Sequence, residues 1–237
     1  MGVDSLGYIV LNVAKLDAWR QLLERVFGME PRARGPGGAI DYRMDNYHHR
    51  FTLCPSDSDG VLAVGWEVGS VEKLEALVQS LRDRKVEVTP GSAELCDERK
   101  VRQLYIFTCP MIGNRNEIYY GPLVSNTPFA PSRGISGYKT GTFGLGHVVF
   151  WVADLPAATR FYEEIMGFSI SDYIAWDDND AVFLHCNPRH HTLALMKAGP
   201  GPAGELMHIL VEASALDDVG YGYDIVRDLG IPVMIEP

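Results

Sequence analysis

Residues 145–168 read Leu145-Gly-His-Val-Val-Phe-Trp-Val-Ala-Asp-Leu-Pro-Ala-Ala-Thr-Arg-Phe-Tyr-Glu-Glu-Ile-Met-Gly-Phe168. The apolar run from Leu145 to Val152 predicts a strand, and the apolar spacing of three to four residues after it predicts an amphipathic helix that ends at Gly167. Asp154 suits the N-cap of that helix, and Pro156 suits its first turn. His147 is a lone imidazole on an otherwise apolar strand, which makes it a candidate functional residue.

The same pattern occurs near the N-terminus, beginning at Leu6. Aligned without gaps, nine of 24 positions are identical, and the two copies lie roughly 140 residues apart. A repeat of this length indicates a tandem duplication of one structural module. We therefore expect a first module at residues 1–121, a linker at 122–144 that is rich in Pro, Ser, Gly and Thr, and a second module at 145–237.

Hydrophobic periodicity predicts the same order of elements in both modules. A strand and a helix are followed by further strands, so the expected fold class is α+β with two tandem βαβββ modules. The segment 31–38, rich in Gly, Pro and Arg, is predicted to interrupt regular structure. A strand is predicted to begin at 231–235. Counterparts of the predicted strands 104–108 and 116–120 are then expected further along, which would make the second module incomplete here.

Composition is that of an ordinary globular protein, because 46% of the 237 residues are hydrophobic and 22% are charged. A formal net charge of −10 argues against binding to nucleic acid or to an anionic membrane, since both need concentrated Lys and Arg. Neither a long uninterrupted apolar run nor a basic-then-apolar start is present, so we expect no membrane span and a cytoplasmic location. The four cysteines form no disulfide framework, which fits a reducing compartment.

Five of the seven histidines lie in the second module. Tyr8 stands in the first copy where the second has His147, and His208 lies in the strand that opens the other β-α half of the second module. In a pseudo-symmetric sheet these two strands are equivalent, so the two imidazoles can meet on a concave face. Two convergent imidazoles suit a divalent transition metal. A carboxylate near position 260, beyond Pro237, would complete the 2-His-1-carboxylate face of non-haem Fe(II) oxygenases.

Three stretches of the second module carry a family resemblance. They are the Leu-Gly-His strand, the strand Met207-His-Ile-Leu-Val-Glu212 and the run His185-Cys-Asn-Pro-Arg-His-His-Thr-Leu-Ala194. Together with the tandem modules, they resemble the type I extradiol ring-cleaving dioxygenases of the vicinal oxygen chelate superfamily, which has a glyoxalase-like fold, and most of all the group that acts on 2,3-dihydroxybiphenyl. The resemblance covers nearly the whole chain.

The resemblance implies an Fe(II) enzyme of aromatic-compound catabolism that opens a bicyclic catechol next to its diol with O₂. It implies that His147 and His208 bind the iron. It also implies that His191 is the catalytic acid–base residue and that His190 is a neighbour supporting it. Imidazole suits proton transfer because it titrates near neutral pH.

Further features concern the substrate and the assembly. The resemblance implies that Val149 and Phe183 line the substrate pocket and that the protein is a homo-oligomer. Among the aromatic residues of the second module, Trp176 is the one that we expect to touch the substrate. We expect a small aromatic substrate and O₂ as partners, with no nucleic acid and no membrane.

Alternatives remain open from the sequence. The catechol could be monocyclic, naphthalene-derived or steroid-derived, and Mn(II) accepts the same ligands as Fe(II). A metal-free binding protein of the same superfamily is a further alternative, although such a protein needs none of the three histidines proposed for iron binding and catalysis. His48-His49, the first-module counterpart of His190-His191, is expected to be a structural relic, and the acidic segment 177–180 is expected to be a solvated turn.

Overall fold

The computed structural model of the chain describes residues 2–33, 37–176, 179–199 and 201–234. Within these residues the strands form two sheets, one of eight strands and one of five. Antiparallel strand pairs outnumber parallel pairs in these sheets, and helices accompany both sheets, so the predicted α+β class is confirmed. The tip of the predicted acidic turn at 177–178 and position 235 lie outside the described residues.

The first sheet contains eight strands, which are β1 (Ser5–Val13), β2 (Glu30–Ala33), β3 (Ile40–Arg43), β4 (Phe51–Pro55), β5 (Gly60–Val68), β6 (Thr89–Pro90), β7 (Val101–Thr108) and β8 (Arg115–Pro122). Their order across the sheet is β2-β3-β4-β1-β5-β8-β7-β6. The accompanying helices are α1 (Leu16–Arg20), which continues as a π-helical segment (Gln21–Val26), α2 (Val71–Asp83) and α3 (Ala93–Arg99).

The second sheet contains β9 (His147–Val152), β10 (Ser169–Trp176), β11 (Asn179–His185), β12 (Leu193–Lys197) and β13 (Leu206–Leu210), in the order β10-β11-β12-β9-β13. Its helices are α4 (Leu155–Glu164) and α5 (Leu216–Asp228). Among the described residues, none of the helices combines the length and the apolar character that crossing a bilayer requires.

The two sheets repeat one topology around a central strand. β1 pairs in parallel with β4 and antiparallel with β5, and β9 pairs in parallel with β12 and antiparallel with β13. Every residue of β9 is buried, which explains why this strand is apolar apart from His147. The duplication seen in the sequence is therefore present as a repeated strand order.

One hydrophobic core joins the two sheets, since a single cluster of buried side chains contains residues from both. At its centre the ring of Trp66 meets the ring of Phe168 edge-on, with 5.5 Å between centroids. The starts of the two central strands are linked as well, because the Leu145 N–H donates to the Leu6 carbonyl at 2.8 Å. The second module is therefore held against the first along the strand that carries His147.

The predicted helix start after β9 is confirmed. Asp154 is the N-cap of α4, and its carboxylate accepts a hydrogen bond from the Ala157 N–H at 2.9 Å. Pro156 lies in the first turn, where it displaces no intrahelical hydrogen bond. The helix then buries Phe161 and Tyr162 against the shared core.

Two predictions about local structure are wrong. Residues 30–33 form the strand β2, although 31–38 is predicted to interrupt regular structure; Pro31 is tolerated because β2 is an edge strand. Residues 231–234 do not form the predicted strand. Gly230 adopts a positive φ of 65°, and the Ile231 N–H donates to Val226 at 3.0 Å, so the chain closes α5 with a turn.

Gly146 lies just before β9, beside the backbone at the end of β13. A Cβ at Gly146 would lie 1.8 Å from the Leu210 carbonyl oxygen, whereas a Cβ at Gly60 would meet nothing within 4 Å. We expect Gly146→Ala to lower the free energy of unfolding by about 1–3 kcal/mol, the usual cost of overpacking. Gly60→Ala is the control, and we expect it to change that free energy by less than about 0.5 kcal/mol. Urea denaturation measures both, and equal effects would contradict the assigned role of Gly146.

Candidate metal centre

Two histidines on neighbouring strands face each other. His147 begins β9, His208 lies in β13, and their Nε2 atoms are 3.1 Å apart. The pairing register shifts between Leu206 and His208, as it does at a β-bulge, and such shifts re-aim side chains. His147 is buried and His208 is exposed, so the pair is open toward the β13 side. The structure therefore brings together the two imidazoles that the sequence singles out.

A third imidazole adjoins this pair. His191 follows β11 in the turn that leads to β12, and its ring lies 3.9 Å from the ring of His147, measured between centroids. Phe183 contacts His191 edge-on, with 4.8 Å between centroids. The Nδ1 of His191 lies 3.0 Å from the Nδ1 of His190, so one of these two nitrogens carries the shared proton.

The surroundings favour the neutral form of all three imidazoles. Burial, followed by the neighbouring His191 and His208, lowers the pKa of His147 to about 3. Burial and the adjacent His190 lower the pKa of His191 to about 4, and burial lowers the pKa of His208. Three neutral imidazoles are therefore expected at neutral pH, and neutral imidazole is the form that binds a metal.

The His147–His208 pair fits a divalent metal ion. Two imidazole nitrogens about 2.1 Å from a metal and at right angles to each other lie about 3 Å apart. The observed separation of 3.1 Å between the Nε2 atoms matches that geometry. The two side chains could thus occupy adjacent positions on one ion.

Other predicted site residues differ in their positions. Val149 pairs with His208 across β9 and β13, and Phe183 contacts His191, so both lie beside the histidines. Trp176 pairs with Asn179 at the far end of the β10–β11 hairpin. Asn179 lies four residues from Phe183 along β11, a distance of roughly 13 Å at the usual strand rise. The structure does not bring Trp176 to the histidine cluster.

The equivalent positions of the first sheet hold other residues. Tyr8 replaces His147, and the β1–β5 register places Ala63 opposite Val10, just as His208 lies opposite Val149 in the second sheet. Ala63 is fully buried, so there is neither a ligand nor an opening at this position.

A buried ion pair occupies the centre of the first sheet. Glu117 on β8 accepts a hydrogen bond from the Tyr8 hydroxyl at 2.5 Å and another from Arg99 Nε at 2.8 Å. Burial raises the pKa of the Glu117 carboxyl, but Arg99 and the hydrogen bonds outweigh burial and lower it, so the carboxylate stays ionised. The buried guanidinium of Arg99 is therefore one cation of this site, and the partly exposed Arg115, whose Nη2 lies 2.6 Å from the Glu117 carboxylate, is the other. Sequence reasoning missed Arg99, although Tyr8 in place of a histidine indicated that the first site differs.

The His-His turn is present in both modules. The Nδ1 atoms of His48 and His49 are 3.0 Å apart, and their ring planes meet at 89°, against 87° for His190 and His191. Asp41 adds a third possible ligand atom to His48 and His49, all within 4.8 Å of one another. The repeated geometry shows that this pairing is a property of the turn, so it does not by itself indicate a metal.

A cavity of about 610 Å³ lies between the modules. Its walls include Trp19 and Phe27 from the first module and Leu206, His208 and Ile209 from β13. Of the three clustered imidazoles, this cavity reaches His208 at its edge, and its walls do not include the other two. The cavity therefore borders the histidine cluster through His208.

Two family models match the sequence. Residues 144–237 match the Glyoxalase/Bleomycin resistance protein/Dioxygenase superfamily. Residues 6–55 match a model described as Dihydroxybiphenyl dioxygenase BphC D1. The two matches begin at the two copies of the repeat.

Characterised relatives are similar over the whole chain. The biphenyl-2,3-diol 1,2-dioxygenase of Sphingomonas paucimobilis is 38% identical, over 100% of this chain and 80% of its own. The 1,2-dihydroxynaphthalene dioxygenase of Sphingobium xenophagum is 37% identical, over 99% and 80%. The iron-dependent extradiol dioxygenase of Rhodococcus jostii is 30% identical, over 94% and 77%. The chain thus spans about four fifths of the length of these relatives.

A solved structure of a catechol 2,3-dioxygenase has the same fold. It superposes with a TM-score of 0.91 at 36% sequence identity, and the match covers 100% of this chain and 80% of that one. The arrangement of sheets and helices described above is therefore shared with an enzyme of known structure.

The buried ion pair of the first module gives a stability prediction. We expect Arg99→Met to lower the free energy of unfolding by about 1–3 kcal/mol, because it removes the buried partner of the Glu117 carboxylate and leaves that carboxylate to Arg115 alone. Arg84→Met is the matched control. Arg84 pairs with Glu164 at 3.0 Å where both side chains are half exposed, and such pairs contribute about 0–1 kcal/mol. Urea denaturation measures both, and similar losses would contradict the role of Arg99.

The histidine cluster predicts how the stability of the metal-free protein depends on pH. Because the folded-state pKa values of His147 and His191 lie near 3 and 4, below the unfolded value of about 6.5, the folded protein binds fewer protons in this window. Stability therefore falls as the pH decreases from about 6.5 to about 3. We expect a loss of about 2 kcal/mol from the cluster, reduced from the full shift by solvent. The pH slope of urea unfolding should be shallower in His147→Asn, and an unchanged slope would contradict the assignment.

Proposed function

This chain belongs to the extradiol dioxygenases of the Glyoxalase/Bleomycin resistance protein/Dioxygenase superfamily, and from that premise we propose that it opens a bicyclic catechol such as 2,3-dihydroxybiphenyl with O₂ at an Fe(II) centre. The observation that carries the proposal is the approach of His147 and His208, whose Nε2 atoms are 3.1 Å apart. His191 stacks on His147 beside them and is the candidate for acid–base catalysis. Family membership disfavours the metal-free alternative.

In this proposal His147 and His208 hold the metal, and a carboxylate expected beyond Pro237 is the third ligand. The argument comes from the first sheet, in which β8 lies beside β5 and carries Glu117 aligned with Gly65. β13 is the counterpart of β5, and among the described residues it pairs with β9 alone. A further strand on the open edge of β13, with a carboxylate where β8 has Glu117, would reach the two imidazoles.

His191 is the residue that would move protons. When bound, Fe(II) supplies Lewis acidity toward the diol and one-electron chemistry toward O₂. The pKa of His191, lowered to about 4, keeps its imidazole neutral and able to accept a proton from a catechol hydroxyl. Because the Nδ1 of His191 is engaged with His190, its Nε2 is the atom that exchanges this proton. The same atom can return the proton to an oxygen of the opening ring.

An apolar surface next to the histidines supports a substrate with a second ring. Side chains two apart on a strand face the same side, so the face of β9 that carries His147 also carries Val149 and Trp151. Val149 is aligned with Ala194, and Trp151 with Met196, on the adjacent strand. These four residues and Ala181 form one buried cluster. A bicyclic diol would place its second ring against this cluster, whereas a monocyclic catechol, the alternative, would leave it uncovered.

The organisation of the whole protein is part of the proposal. We assign residues 1–121 to a module without metal, 122–144 to a linker and 145–237 to the metal-binding module. Fe(II) rather than another oxidation state or Mn(II), assembly as a homo-oligomer and a cytoplasmic location are predictions from the sequence and the family resemblance. One relative is named as an iron-dependent enzyme, which supports iron.

Incubation with Fe(II) and 2,3-dihydroxybiphenyl without air, followed by admission of air, tests the proposed function. We expect a yellow ring-opened product, and recovery of the intact diol would contradict ring cleavage.

His208→Ala should lower the iron retained after gel filtration at least tenfold, because it removes one of two imidazole ligands. His191→Gln should retain the iron but lower kcat by about 10²–10⁴-fold, the usual contribution of an acid–base residue.

The first module provides the matched control. His49 is the counterpart of His191, and we expect His49→Gln to change neither iron content nor kcat by more than twofold. Equal losses in His49→Gln and His191→Gln would show that the chemistry is not confined to the second module. A higher kcat/KM for catechol than for 2,3-dihydroxybiphenyl or 1,2-dihydroxynaphthalene would overturn the bicyclic substrate.

A further inference from the structure

We propose that Arg189 is a positioning residue. It joins the turn containing His191 to the end of β13, the strand containing His208. The proposal rests on the proposed function, since it concerns the placement of the acid–base imidazole relative to the metal-binding pair. Arg189 itself touches neither of these histidines by a hydrogen bond among the described contacts. It acts through the backbone of its own turn and through Glu212.

Local hydrogen bonds shape the turn but do not tie it to β13. The Asn187 side-chain oxygen accepts the Arg189 N–H at 3.0 Å, and the Thr192 N–H donates to Leu184 at 2.8 Å. Ser171 on β10 donates to the His190 carbonyl. All of these partners belong to β10, β11 or the turn itself. The Val148 N–H also donates to the Thr192 carbonyl at 3.2 Å, which ties the C-terminal end of the turn to β9, the neighbour of β13. None of these bonds joins the N-terminal end of the turn, where Arg189 lies, to β13.

The Arg189 side chain makes that connection. Its guanidinium is buried, with 7% of the side chain exposed, and Nη1 donates to the Glu212 carboxylate. Nη2 donates to the Lys139 carbonyl at 2.9 Å, and Nε approaches the Phe143 carbonyl at 3.5 Å. A guanidinium is planar, and its donors have fixed relative directions. Three separate acceptors therefore restrict its position more closely than one ion pair would.

Glu212 is itself anchored. It lies two residues beyond β13 and four residues beyond His208. Its second carboxylate oxygen pairs with Lys139 Nζ at 2.8 Å, and its carbonyl accepts the Lys139 N–H at 2.9 Å. The hydrogen bond from Lys139, followed by that from Arg189, lowers the pKa of Glu212 and keeps it ionised. The Glu212 carboxylate, which accepts the hydrogen bond from Arg189, is thus held at the end of the strand that contains His208.

The first module shows the same link in a simpler form. Tyr47 precedes its His-His turn, its N–H donates to Asp45 at 2.9 Å, and its hydroxyl donates to Glu67 at 3.0 Å. Glu67 lies at the end of β5, as Glu212 lies at the end of β13. A link from the His-His turn to a glutamate at the end of β5 or β13 is therefore present in both modules. The second module, which has an acid–base histidine to place, replaces one hydroxyl contact with a three-point guanidinium contact.

Substitutions at both ends of the link test the proposal. We expect Arg189→Gln and Glu212→Gln each to lower kcat for 2,3-dihydroxybiphenyl by about 10–100-fold, since a displacement of about 1 Å can cost about 10²-fold. KM and bound iron should stay within twofold, because His147 and His208 remain on their strands. The double variant should be no slower than the slower single variant, as for two residues that act through one contact. Arg189→Tyr, which copies the first module, should recover at least part of the lost kcat.

A second readout does not depend on activity. Hydrogen exchange of the amides at residues 186–192 should be at least fivefold faster in Arg189→Gln than in the unmodified protein. The control is Tyr47→Phe, which breaks the equivalent contact in the first module and should change neither kcat nor exchange at 186–192. If the unmodified protein cleaves no catechol, the proposed function fails, and the exchange measurement still decides the role of Arg189. Unchanged hydrogen exchange at residues 186–192 would overturn the positioning role. A decrease in kcat that is matched by equal decreases in bound iron and in thermal stability would also overturn it.

Discussion

The antiparallel pairing of β9 with β13 is the interaction on which the candidate site depends. It sets the Nε2 atoms of His147 and His208 3.1 Å apart, and it does so because the backbone of β13 can approach Gly146 more closely than a Cβ would allow. The parallel pairing of β9 with β12 on the other side brings the turn of His191 to the same end of the sheet. Strand register therefore brings three imidazoles from three segments to one place, and burial then keeps them neutral and available as ligands or as a base.

The two modules solve one electrostatic problem in different ways. A carboxylate on the inner face of a curved sheet needs a cation, since an isolated buried charge is strongly unfavourable. In the first module the buried cation is the guanidinium of Arg99, which contacts Glu117 together with the partly exposed Arg115, and Tyr8 donates to the same carboxylate. In the second module, under the proposed function, a metal ion takes the place of that guanidinium and two histidines take the places of Tyr8 and Ala63. The first module is thereby closed to ligands, while the second keeps positions for a diol.

Much of the fold and of the candidate site could be predicted from the sequence, and the features that could not be predicted have physical causes. The duplication, the α+β class, the N-cap Asp154 and the convergence of His147 with His208 follow from periodicity and spacing, because these properties are encoded locally and repeated. The strand β2 was not accessible, since its Pro31 is tolerated only at a sheet edge and sequence does not reveal which strand is the edge. Trp176 was expected near the substrate, but hairpin register, which sequence fixes poorly, places it at the far end of β10. Arg99 and Arg189 were missed because their partners are distant in sequence.

The core shared by the two sheets has a consequence for how the protein arose. Trp66 and Phe168 meet across it, and the Leu145 N–H reaches the Leu6 carbonyl of the other half. A single module on its own would expose this apolar face to water, at a cost of about 25 cal/mol for each Å². An ancestral half would therefore have been driven to associate with another copy of itself, as many homodimers do. Joining two such halves by a linker makes their encounter intramolecular and raises their effective concentration, so the residues of either half can change without the two coming apart.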